Sequence, residues 1–143
     1  MSIPVVYWSG TGNTEQMAEA VAAGIKAAGQ EADLCSVGGA DAGRLADEKA
    51  FALGCPSMGA EELEESEMEP FVQALEGNVA GKTVLLFGSY GWGDGEWMRT
   101  WEERMKNAGA VLANGGGVIA NEAPDDSAVK ACEEAGKALA AAV

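Results

Sequence analysis

Two kinds of apolar pattern succeed one another along the chain. Ile3 to Trp8, Phe51 to Cys55 and Thr83 to Phe87 are short, nearly unbroken apolar runs, as expected of parallel strands covered on both faces. Ala32 to Val37 alternates weakly as a further strand, and Ala110 to Ala120 reads as a fifth, weakened and bulged at Gly115-Gly116-Gly117. Between these runs apolar residues recur at helical spacing. Met17, Val21 and Ile25 follow a helix start near Glu15, and Gly29 marks its end. A short helix is expected within Asp41 to Asp47, and a longer one from about Ser66 to Leu75 with Met68, Phe71, Val72 and Leu75 on its apolar face. Trp97, Trp101 and Met105 mark a helix from Glu96 to Asn107, and Pro124-Asp125-Asp126 opens a last one that turns Val129, Cys132, Gly136 and Leu139 inward. Strand and helix thus alternate five times, which predicts an α/β fold with a parallel sheet and helices on both faces. In such sheets ligands bind beyond the carboxyl ends of the strands. The loops after the first, third and fourth strands should therefore meet at one edge.

The first of these loops, Ser9-Gly10-Thr11-Gly12-Asn13-Thr14, joins a strand directly to a helix. Such a turn leaves the first N–H groups of the helix unpaired at the positive end of its dipole, where they can hold a phosphate. Ser9, Thr11 and Thr14 add hydroxyls, Asn13 adds an amide, and Gly10 and Gly12 allow a tight backbone. A P-loop needs Lys-Ser/Thr after its last glycine, where this chain has Asn13-Thr14. A dinucleotide fingerprint needs a third glycine where Glu15 stands. What remains is a cradle of neutral donors suited to one terminal phosphate. The other two loops each set a large soft or aromatic side chain, Met58 or Trp92, beside glycine, and two such residues can wall a planar heterocycle from opposite sides.

Composition narrows the chemistry. A chain of 143 residues suits one domain, expected here to span residues 1–143. No apolar stretch approaches a membrane span or a signal-peptide core, so a soluble cytoplasmic protein is expected. The absence of histidine removes the commonest general base and metal ligand. Cys35, Cys55 and Cys132 are too widely spaced for a Cys-x-x-Cys site and are expected to be reduced thiols. A formal net charge of −14 argues against nucleic acid or anionic membrane as partner. The acidic interval from Glu61 to Glu76 is a candidate docking surface for basic proteins.

Taken together, Ser9 to Thr14, Gly54-Cys55-Pro56-Ser57-Met58-Gly59-Ala60-Glu61 and Phe87-Gly88-Ser89-Tyr90-Gly91-Trp92-Gly93 resemble the three flavin-binding loops of the short-chain flavodoxins of clostridia and related anaerobes. The resemblance covers nearly the whole chain. It implies a five-stranded sheet of order 2-1-3-4-5 and flavin mononucleotide (FMN) held without covalent attachment, its phosphate on Ser9, Gly10, Thr11, Gly12, Asn13 and Thr14. It further implies that Met58 and Trp92 flank the isoalloxazine ring, that Glu61 accepts a hydrogen bond from N3–H, and that backbone N–H groups of Gly91, Trp92 and Gly93 reach the N1/O2 edge. Pro56, Ser57, Ala60, Ser89 and Tyr90 would complete the loops around the cofactor. Asn121 would hold the ribityl side, although Ala123 is an extra residue before Pro124 relative to the family's Asn-Glu-Pro. The Gly59 carbonyl would turn toward N5 on reduction, in a turn expected to be type II with positive φ at Ala60.

The implied function is that of a low-potential one-electron carrier, monomeric, shuttling between redox enzymes with basic surfaces through the neutral semiquinone and the anionic hydroquinone, with no substrate turnover of its own. Two competitors belong to other classes. A small FMN-dependent NAD(P)H quinone or nitro reductase would need extra chain to roof a substrate site. A phospho-receiver domain would need paired acids after the first strand and an aspartate ending the third, where this chain has Tyr7-Trp8-Ser9 and Cys55.

Overall fold

Six parallel strands form one sheet in a computed structural model that describes residues 2–143. The elements run β1 (Ser2–Tyr7), α1 (Asn13–Ala27), β2 (Glu31–Ser36), α2 (Ala42–Ala46), β3 (Ala50–Gly54), α3 (Met68–Leu75), β4 (Thr83–Tyr90), α4 (Glu96–Asn107), β5 (Val111–Leu112), β6 (Val118–Asn121) and α5 (Asp126–Ala140). The sheet order is β2-β1-β3-β4-β5, and β6 also pairs with β4. This is the order that the resemblance implies.

Strand alternation sorts the core into two layers. Val6, Phe51, Leu53, Val84 and Leu86 face α3 and α4, meeting Met68, Val72, Trp97 and Trp101. Their neighbours Val5, Ala52, Leu85 and Phe87 face α1 and α5, meeting Met17, Val21, Cys132 and Leu139. On that second side the helices cross through glycine. A Cβ at Gly24 would lie 2.0 Å from the Glu133 carbonyl oxygen, and one at Gly136 would lie 2.3 Å from that of Val21. Burial pushes the thiols of Cys55 and Cys132 up to about 12, as expected of small residues that fill the core, and the Cys55 sulfur accepts from Glu64 N–H at 3.3 Å.

Three expectations are corrected. The fifth strand is not one bulged strand over residues 110–120 but two short ones, β5 and β6, separated by a turn. Asn114 at φ 60° and Gly115 at φ 77° take the chain out of the ladder, and the Glu102 carboxylate accepts the Gly117 N–H that the ladder gives up. The fourth strand does not end at Phe87 but continues through Gly88, Ser89 and Tyr90, each paired with β6. Gly88 belongs there because a Cβ would sit 2.1 Å from the Cys55 carbonyl oxygen. The third correction concerns α3, which begins at Met68 rather than Ser66. The buried Glu64 carboxylate accepts hydrogen bonds from the N–H groups of Ser66 (2.8 Å), Glu67 (2.7 Å) and Met68 (3.0 Å) and from the Ser66 hydroxyl. A single acid thus satisfies the donors that the start of a helix leaves open. Across the same layer Arg104 of α4 holds Glu69 of α3 with two parallel hydrogen bonds of 2.8 and 2.7 Å, and Glu76 with a third of 2.6 Å. The Arg104 side chain draws the Glu69 carboxyl below the usual carboxylate range.

Candidate functional site

At the carboxyl edge of the sheet the hydrogen-bond ladder runs on past the strands and pins the loops to each other. Trp8 donates to the Gly54 carbonyl (2.9 Å), Cys55 to Phe87 (3.0 Å), Ser57 to Ser89 (3.0 Å) and Glu122 to Tyr90 (2.8 Å). The segments after β1, β3, β4 and β6 are therefore held side by side.

In the first loop Gly12 takes φ 94°, a left-handed turn that glycine adopts freely, and delivers the chain into α1. The Ser9 hydroxyl oxygen accepts from the N–H groups of Gly12 (3.1 Å) and Glu15 (3.4 Å), which ties the loop into a ring and leaves its own proton to donate outward. Thr14 is buried, and its oxygen accepts from Ser89 N–H at 3.4 Å. The N–H groups of Gly10, Thr11, Asn13 and Thr14 have no partner among the described residues. Behind them the indole of Trp8 lies over Gly10, where a Cβ would meet it at 3.1 Å, and donates from Nε1 to Glu67 at 3.2 Å.

These donors open on a cavity of about 260 Å³. Ser9, Gly10, Thr11, Asn13 and Thr14 line it together with Pro56, Ser57 and Met58 of the second loop and Ser89, Tyr90 and Gly91 of the third. Gly12 shapes the turn without lining the cavity. Met58 is half-buried, and its backbone exchanges two hydrogen bonds of 2.9 Å with Glu62, closing a turn over Gly59, Ala60 and Glu61. Here the turn differs from expectation. Positive φ falls on Gly59 (51°) and Glu61 (56°), not on Ala60, because the Met58–Glu62 pairing closes a three-residue loop rather than a type II turn. Ala60 therefore carries no left-handed strain that glycine could relieve.

Trp92 is 65% exposed and stands outside the cavity, in a loop where Gly93 and Gly95 take φ 86° and 90°. Glu61 faces that loop, its carboxylate accepting from Glu96 N–H at 3.0 Å. Asn121 is not a lining residue. Its side-chain amide donates to the Tyr90 carbonyl at 3.2 Å, and it borders a separate hollow with Ala123 and Asp125. Glu122 takes the place next to the cavity, held at φ 58° with its carbonyl accepting from the Ser89 hydroxyl at 2.8 Å. Trp8 and Glu122 line the cavity as well. The position of Trp8, directly before the loop, was a usable signal, whereas the extra residue Ala123 obscured which neighbour turns inward. A larger hollow of about 690 Å³ lies away from the strand ends, between Glu76 and α4, where Arg104 already has its ion partners.

A cradle of uncharged donors at the carboxyl edge of a parallel sheet, continuous with a cavity walled by Met58 and Tyr90, defines a mononucleotide-binding α/β protein. The sequence profile of the flavodoxin family matches residues 5–136. The chain is 48% identical to a flavodoxin of Clostridium beijerinckii, over 95% of this chain and 97% of that one. It is 46% identical to a flavodoxin of Megasphaera elsdenii, over 98% and 99%. The solution structure of the two-electron reduced Megasphaera elsdenii flavodoxin superposes with a TM-score of 0.89 over 97% of this chain and 98% of that one, at 45% identity. The chain belongs to the flavodoxin family. It is an FMN-binding electron-transfer protein that serves redox partners and is not an enzyme with its own substrate; the reductase reading is not favoured. The residues present fit the cofactor, since four unpaired N–H groups and the hydroxyls of Ser9 and Thr11 can meet a phosphate without a counter-ion. No helix among the described residues is long and apolar enough to cross a membrane.

Proposed function

We propose that the FMN phosphate rests on Ser9 to Thr14, that the ring lies between Met58 and Trp92, and that the chain passes electrons singly at low potential, as a monomer, to redox proteins with basic surfaces. The observation that carries this reading is that the unpaired donors of the first loop and the half-buried Met58 border the same cavity. FMN, when bound, supplies the redox chemistry. The chain supplies the rest. Thr11, Asn13 and Thr14 present donors to the phosphate, and Gly91, Trp92 and Gly93 offer backbone N–H groups to the N1/O2 edge. Glu61 accepts from N3–H, Gly59 offers its carbonyl at N5, and Ala60 sits between them at the exposed turn. Contact on the ribityl side falls to Glu122, while Asn121 holds the Tyr90 carbonyl. No Lys or Arg lines the cavity, and the chain carries 23 acids against 9 basic residues, so added negative charge on the ring is opposed by the surrounding field.

Anaerobic reductive titration followed by absorbance tests the reading. Flavin bands at one equivalent and two well-separated one-electron steps are expected. A protein that stays colourless with added FMN overturns it, and turnover of NAD(P)H by the protein alone would restore the reductase.

Trp92→Ala should weaken FMN binding by roughly 1 kcal/mol, about fivefold in Kd, through loss of a stacked wall. Fluorescence titration measures this, and an unchanged Kd would place Trp92 away from the ring.

The exposed acids Glu62, Glu65, Glu67, Asp94, Glu96 and Glu122 form the rim that would steer a basic partner. Glu64 and Glu69 drop out of that rim, one buried as the α3 cap and the other paired with Arg104. Stopped-flow electron exchange with a basic reductase should slow as salt rises, because such steering is screened beyond about 8 Å at physiological ionic strength. Rates indifferent to salt would exclude electrostatic docking.

A further inference from the structure

The loop that carries Trp92 has little to hold it. It runs from Gly91 to Gly95 with three glycines, and neither the Trp92 backbone nor its indole has a hydrogen-bond partner among the described residues. One restraint is Arg99, which donates to the Asp94 carbonyl and pairs with the Asp94 carboxylate, each at 3.0 Å, both side chains being well exposed and the pair therefore weak. The other comes from outside the loop. Gly95 gives α4 no side-chain cap of its own, which leaves the first N–H groups of the helix without a local partner. The Glu61 carboxylate fills that role from the neighbouring turn, with one oxygen on Glu96 N–H, where the helix dipole favours negative charge. The same carboxylate lies against the backbone of Gly93, so close that a Cβ there would meet it at 2.6 to 2.9 Å. Its own backbone, at φ 56°, is fixed by the closed Met58–Glu62 turn.

From this we infer that Glu61 is a positioning residue for Trp92: by capping α4 and abutting Gly93, it sets the distance between the two loops that would flank the ring. The inference rests on the FMN reading above for its functional consequence, but not for the contact itself. The second carboxylate oxygen has no partner among the described residues, so one side chain can cap the helix and still accept from a ligand donor. Glu61→Gln keeps one acceptor oxygen and so keeps the cap, whereas Glu61→Ala loses it.

The test uses the full chain, first without FMN. In wild type and Glu61→Gln, the Glu96 amide should exchange slowly and the Trp92 amide should show ordered 15N relaxation. In Glu61→Ala, Glu96 exchange should be about tenfold faster, as expected for loss of a charge-assisted hydrogen bond, and Trp92 should become mobile. With FMN, a double-mutant cycle is run against Trp92→Ala. The affinity loss caused by Glu61→Ala should shrink when no indole is left to misplace. Wild-type exchange and relaxation in Glu61→Ala, or fully additive affinity losses, would overturn the inference. Should wild type fail to bind FMN, the functional reading falls while the exchange comparison still decides the cap.

Discussion

Glu64→Ala is expected to lower the free energy of unfolding by about 3 kcal/mol at neutral pH, since it strands three half-buried N–H groups, those of Ser66, Glu67 and Met68, at on the order of 1 kcal/mol each. Glu64 is 5% exposed, so water cannot replace the acceptor freely. The loss should also depend on pH, with a defined sign. Burial alone would raise the Glu64 carboxyl, but the hydrogen bonds from Ser66, Met68 and Glu67 outweigh it and hold the group below the usual carboxylate range. A lowered folded value means that this stabilisation is complete above the unfolded carboxyl, near about 4.3, and is lost as pH falls through the folded value. Urea denaturation of both proteins should thus show a constant gap from neutral pH down to about pH 5 that narrows toward pH 3. A gap that widens on acidification would mean that Glu64 is not ionised in the folded protein.

Gly88→Ala is expected to cost at least 2 kcal/mol or so of stability, in the usual range for overpacking, and to weaken FMN binding together with it. The added Cβ would lie 2.1 Å from the Cys55 carbonyl oxygen and 2.9 Å from the carbonyl carbon, with the Trp97 ring 3.2 Å away. The Trp97 indole already donates to that same carbonyl at 3.1 Å. Relief therefore requires β3 and β4 to part at the edge where Ser57 N–H meets the Ser89 carbonyl, between the Met58 and Trp92 loops. Gly77→Ala, with nothing within 4 Å of the new Cβ, is the control and should be close to neutral. Calorimetry and FMN titration of both variants check the pair; equal behaviour would show that the edge yields without cost.

Much of this architecture is legible in the pattern of apolar residues. The stripe Trp97, Trp101 and Met105 bounds α4 at Glu96 and Asn107 as observed, because a helix on a buried layer must repeat at 3.6 residues. The misreadings have tertiary causes. Gly88-Ser89-Tyr90 has the composition of a turn, yet it is strand, since its glycine is demanded by a carbonyl on the neighbouring strand. Among the run of glutamates every side chain has the same chemistry, and only the path of the loop decides that Glu64 is buried while Glu62 and Glu65 are exposed. Positive φ at Glu61 rather than Ala60 likewise follows from pairing between Met58 and Glu62, which no local turn preference encodes. Around the cavity, the donors of the first loop are readable because strand-to-helix turns present the same groups wherever they occur. Glu122 is not, because one inserted residue changes which side chain faces inward.

The crossing of α1 and α5 through Gly24 and Gly136 also bears on the order in which the molecule can be finished on the ribosome. Helix α1, which begins at the first loop, buries the face that carries Val21 and Ile25 against residues 126–140. Until that segment has docked, the first loop is anchored on a helix with one side in water. Of the loops at this edge, the first to be synthesised thus becomes rigid only once α5 has docked.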